Sequence, residues 1–110
     1  MIQCTNDEKM KRDVMDAWKE FNPKATKSIR EDINWPYEDL DKVVKYLENG
    51  RKGPIAAMSR QDVISGKLLP GSYAIMSDDE WVWPNTLPYY VKQYRLRLPD
   101  ELINKIYSGG

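Results

Sequence analysis

The sequence predicts an α+β fold in which two N-terminal helices are followed by a small antiparallel β-sheet and two C-terminal helices. Three observations point there. Apolar residues recur at helical spacing near both ends of the chain, and two β-rich runs between them are joined by an acidic turn. The balance of 41% apolar and 31% charged residues over 110 positions is that of one globular domain, residues 1–110.

The first predicted helix starts at Thr5, Asn6, Asp7 and Glu8, where a hydroxyl three residues before a carboxylate has the spacing of a capping box. Met10, Val14, Ala17, Trp18 and Phe21 then form one apolar stripe, which Asn22 and Pro23 stop. Lys24 to Asn34 has weak periodicity and reads as a connector with room for one helical turn, anchored by Ile29 and Ile33. Pro36 suits the first turn of a second helix, in which Leu40, Val43, Val44 and Leu47 repeat up to Asn49 and Gly50.

Ile55 to Met58 is a short apolar run expected as a covered strand, and Ser59 to Gly66 reads as a hairpin loop with a helical turn. After the Pro70-Gly71 turn, Ser72 to Met76 and Glu80 to Trp83 read as an antiparallel hairpin across Ser77, Asp78 and Asp79. Leu87, Tyr90, Val91 and Tyr94 give the third helical stripe. Leu102, Ile103, Ile106 and Tyr107, after Pro99, give the fourth, with Gly109 as its cap.

The chemistry is bounded by what is missing. There is no histidine, so the commonest general base, the usual catalytic triad and most zinc or iron sites are absent. The single cysteine, Cys4, excludes an intrachain disulfide and suits a reducing cytoplasm. Met1 to Arg12 lacks the basic start and apolar stretch of a signal peptide, and no apolar run is long enough to span a bilayer. Gly50, Arg51, Lys52 and Gly53 lack the spacing of a phosphate loop, and Ser65 and Lys67 are too close to face each other as a catalytic dyad. Asp78, Asp79 and Glu80 put three carboxylates together, but consecutive residues of a turn point in different directions, and the ordinary reading is a solvated turn. The expectation is a non-enzymatic, cytoplasmic protein with no metal or cofactor.

A binding role is then the remaining class. The 17 basic and 17 acidic residues cancel, yet Glu31, Asp32, Glu38, Asp39, Asp41 and Glu48 outnumber Lys42 and Lys45 between residues 31 and 50. That segment makes an acidic face for a basic partner conceivable, although carboxylates in a first helical turn also favour the helix dipole. Lys92, Arg95, Arg97 and Lys105 form a basic set on the last two helices, interrupted by Asp100 and Glu101. The chain also has four tryptophans and seven tyrosines, of which Trp81 and Trp83 fall on one side of a strand. Most are expected in the core, with Tyr37 and one of Tyr89 or Tyr90 exposed.

The run Trp81, Val82, Trp83, Pro84, Leu87, Tyr89, Tyr90, Val91, Tyr94, Leu96, Leu98, Pro99 and Glu101 resembles a recurrent C-terminal pattern of small bacterial proteins. Several proteins of this size and make-up are immunity proteins of polymorphic-toxin or contact-dependent growth-inhibition systems. The resemblance covers only that part of the chain, has the character of a folding signature, and transfers no functional residue. It implies a protein that neutralises a cognate toxin domain, and a nuclease toxin would suit the acidic segment. The candidate binding residues are Glu31, Asp32, Glu38, Asp39 and Asp41, set to mimic phosphate charge, with Tyr37 as an aromatic anchor. The alternative expectation is a small regulatory or phage-encoded nucleic-acid-associated protein that uses the basic set.

Overall fold

The computed structural model describes residues 11–108. Within them the fold is α+β, with three α-helices and six short strands. Strands β1 (Arg12–Asp13), β2 (Arg51–Ala56), β5 (Tyr73–Ser77) and β6 (Trp81–Pro84) form one mixed sheet in the order β1-β6-β5-β2. β1 runs parallel to β6, and the other neighbours are antiparallel. β3 (Arg60–Gln61) and β4 (Leu68–Leu69) make a separate antiparallel pair. The helices are α1 (Leu40–Glu48), α2 (Leu87–Tyr94) and α3 (Asp100–Tyr107).

The expected order of two helices, sheet and two helices is corrected at the N-terminal end. The Thr5 capping box, Met10 and Gly109 lie outside the described residues. From Arg12 to Ala17 the chain is a short strand and then a 3-10 turn, Val14–Ala17, where an α-helix was expected. Two competing sets of bonds explain the difference. The Arg12 amide donates to the Glu80 carbonyl at 2.9 Å and so joins the sheet, while the Asp13 carboxylate accepts from the Met15 amide and starts the turn there. Val14, Met15 and Trp18 are buried all the same, because a tight turn also brings residues three apart to one side.

The second expected helix starts later than Pro36. The Asp39 carboxylate accepts the Lys42 amide at 3.1 Å and fixes the first turn at Leu40. Trp35 instead donates its amide to the Arg95 carbonyl, and Arg97 donates to the Asp32 carbonyl, so the connector is tied to the chain after α2. The strand expected as covered near Ile55 is β2, an exposed edge of the sheet that begins at Arg51. Residues 60–69 form the β3–β4 hairpin, with a turn at 63–65.

One apolar cluster holds the elements together. Val43 and Leu47 of α1, Trp83 of β6, Leu87 and Val91 of α2, and Leu102 and Ile106 of α3 are all without exposed surface. Trp81 and Trp83 are both buried, as their shared side of the strand requires. Among the described residues no helix is long and apolar enough to cross a membrane.

Candidate functional site

A groove of about 740 Å³ lies between α1, the start of β2, the β5–β6 turn and α3. Its walls alternate in charge: Asp39, Asp41, Asp78 and Asp79 against Lys42, Lys45 and Arg51. The α1 periodicity explains one wall, since burying Val43, Val44 and Leu47 turns Asp41, Lys42 and Lys45 outward. The other wall is set by the β5–β6 turn. Asp78 Oδ1 accepts the amides of Glu80 and Trp81, both at 2.7 Å, and Tyr46 donates its hydroxyl to Asp78 Oδ2.

Lys105 of α3 closes this turn from behind. Its ammonium lies 3.2 Å from Asp78, 2.5 Å from Asp79 and 3.0 Å from Glu80. Burial pushes the Asp78 carboxyl up, but the Tyr46 hydroxyl, the two amides and Lys105 outweigh it and hold the group below its ordinary value. The hydrogen bond from Lys105 likewise holds Asp79 low. Burial lowers the Lys105 ammonium, and the three carboxylates reverse this and raise it. Burial first, and then the Asp78 carboxylate, push Tyr46 up to about 12. Asp78 and Asp79 therefore stay charged and paired with Lys105 across the neutral range, a clamp between helix and hairpin. Among the described residues no three metal-ligating side chains are grouped to hold an ion.

The residues expected to bind a partner fall into two groups. Glu31 and Asp32 belong to the 3-10 turn Ile29–Asp32, and their carboxylates serve the fold. Glu31 accepts the Ser28 amide in a capping box, and Asp32 accepts the Trp18 indole N–H at 2.8 Å and pairs with Lys27. Tyr37 is half-buried. Its hydroxyl donates to the Leu96 carbonyl and accepts the Leu98 amide, bracing the chain between α2 and α3. Glu38, Asp39 and Asp41 are exposed together at the start of α1, and Asp39 and Asp41 line the groove. Glu38 and Asp41 have no cation partner among the described residues.

Sequence reasoning did not bring Asp78, Asp79, Tyr46 or Arg51 to this groove, because the β5–β6 turn meets α1 only through tertiary packing. Two members of the basic set expected for nucleic acid are engaged within the fold. Lys105 is held by the acidic trio, while Arg97 pairs with Asp100 and stacks on Trp35 at 4.2 Å. Tyr89 is half-buried and Tyr90 fully buried, leaving Tyr89 as the more exposed of the pair.

A second polar centre lies under the β3–β4 turn. Asp62 has no exposed surface, yet its carboxylate accepts the hydroxyls of Tyr89 and Tyr94, at 2.7 and 2.6 Å, and the amides of Ile64 and Ser65. Burial raises its pKa, but the tyrosines and amides prevail and bring it down to about 2. Comparison with protein-family models, curated proteins and solved structures gives no match to this chain.

Proposed function

We propose that this chain is an immunity protein that binds and neutralises a cognate toxin domain, a nuclease, by covering its active site. The observation that carries the reading is the acidic rim at the start of α1. Glu38 and Asp41 are exposed carboxylates with no cation partner among the described residues, beside a groove of about 740 Å³ whose far wall carries Asp79. Nuclease clefts are basic because they hold phosphates, so a rim of this kind is complementary to them in charge and steers association. Asp39 serves both the rim and the helix cap. Tyr37 braces the segment from below, and Glu31 and Asp32 act as supports rather than contacts.

The test is co-expression with the product of the gene directly upstream, where an immunity gene's toxin is expected. The expected result is protection of the cell and a stable complex. Charge reversal by Glu38→Lys with Asp41→Lys should lower the association rate by about tenfold or more at low salt. Absence of both complex and protection overturns the reading. Full protection by the reversed variant overturns the assignment of the rim.

A further inference from the structure

Four of the five exposed large apolar residues among the described residues line two grooves that share no residue with the acidic groove. Met58 is 55% and Leu68 68% exposed, and Phe21 and Ile75 are each more than one-third exposed. Two shallow grooves join them. One of about 270 Å³ runs past Phe21, Ile75, Tyr73 and Met58, and one of about 320 Å³ continues past Met58 to Leu68; Met58, Ser59 and Arg60 line both. Among the described residues Arg60 is the only cation lining either groove. It makes no salt bridge among the described residues, and its Nε is buried without a hydrogen-bond partner. Gly71 leaves room for its guanidinium, since a Cβ at that position would lie 2.7 Å from Nη2. Asp13, the one carboxylate lining the grooves among the described residues, accepts the Met15 amide at 2.9 Å.

We propose that this double groove docks an extended segment of a partner protein in which apolar side chains flank an aspartate or glutamate. The apolar side chains would fill the grooves on either side of Arg60, and the carboxylate would complete the guanidinium, a charge-assisted pairing for which the arginine fork is suited. The apolar walls supply burial, and the lone cation supplies register. A lipid surface fits less well. Membrane recognition by charge uses a cluster of cations, and these grooves hold one. The site is separate from the acidic rim and does not depend on the toxin-binding reading.

The experiment selects short random peptides displayed on phage against the full chain, with counter-selection on the Leu68→Asp variant. Peptides that pass are synthesised and their Kd measured by fluorescence anisotropy. The expected result is enrichment of sequences with an acidic residue between apolar ones. Arg60→Gln should weaken them about tenfold and Leu68→Asp more, with far-UV circular dichroism and Tm unchanged. The proposal is overturned if no peptides enrich, if the enriched peptides lack a carboxylate, or if Arg60→Gln leaves Kd unaltered. It is also overturned if Leu68→Asp abolishes self-association in sedimentation equilibrium, which makes a second copy the occupant. Co-sedimentation with phosphatidylcholine and phosphatidylserine vesicles that Leu68→Asp removes would overturn it as well.

Discussion

Asp62 is a charged group with no exposed surface and no cation partner among the described residues, held by two hydroxyls and two amides. Such a group is retained only if its bonds outweigh its desolvation. Its folded pKa of about 2 lies below the ordinary 3.8, so the stabilisation it gives is present above that ordinary value and is lost as pH falls towards 2. The difference amounts to about 2 kcal/mol. Urea unfolding at stepped pH should therefore show wild type losing stability across that window, and Asp62→Asn, already less stable at neutral pH, showing a flatter curve there. Equal slopes would mean that Asp62 does not titrate below its ordinary value. Gly50 poses a different constraint. A Cβ there would lie 2.6 Å from the fully buried Trp83 ring and 3.1 Å from the Ser77 carbonyl. Gly50→Ala is expected to cost about 1–3 kcal/mol by overpacking, read as a drop in Tm. An unchanged Tm would show that the ring can shift without cost.

At the scale of elements, Lys105 carries the contact between α3 and the β5–β6 turn. Replacing it by Gln would leave Asp78, with 13% of its side chain exposed, beside two more carboxylates and without its salt-bridge partner. The expected loss is about 1 kcal/mol or more, larger at low ionic strength because the repulsion is then unscreened. Thermal unfolding of Lys105→Gln at two salt concentrations checks this, and a loss independent of salt would point to packing of the lysine stem instead. The same contact shows where the sequence was legible. The apolar spacing of Leu87 to Tyr94 and Leu102 to Tyr107, and the β-rich runs around Asp78, specified local elements that owe little to distant residues. The segment from Arg12 to Phe21 carried an equally regular stripe, but only Val14 and Trp18 of it are buried while Ala17 and Phe21 are exposed, because its conformation was decided by pairing of Arg12 with Glu80, far along the chain. Glu38, Asp39 and Asp41 were readable as an acidic group because they are neighbours in sequence. Asp78 and Arg51 joined their groove only through folding. Tyr37 and Asp32 read as surface contacts until their partners, Leu96, Leu98 and Trp18, came into place.

For the whole molecule, the register of β2 on β5 sets the two surfaces apart. Arg51 pairs with Ser77 at the end that meets the acidic groove, and Ala56 pairs with Tyr73 at the end that meets the apolar grooves. Four residue steps along β5 separate Tyr73 from Ser77, a span of about 13 Å at the usual strand rise. Sites that far apart with no shared side chains act independently, and the effects of substitutions at them add. The combined variant Asp41→Lys with Leu68→Asp should therefore show the toxin association rate of Asp41→Lys alone and the peptide affinity of Leu68→Asp alone. Stopped-flow association and fluorescence anisotropy on the two single variants and the double variant complete the cycle. A coupling beyond about 0.5 kcal/mol in either measurement would require a route through the β2–β5 ladder. The most direct such route is the β2 bulge between Lys52 and Ile55, where the register shifts. An uncoupled cycle would leave the sheet as a rigid spacer that carries two independent contacts, one acidic and one apolar, at its opposite ends.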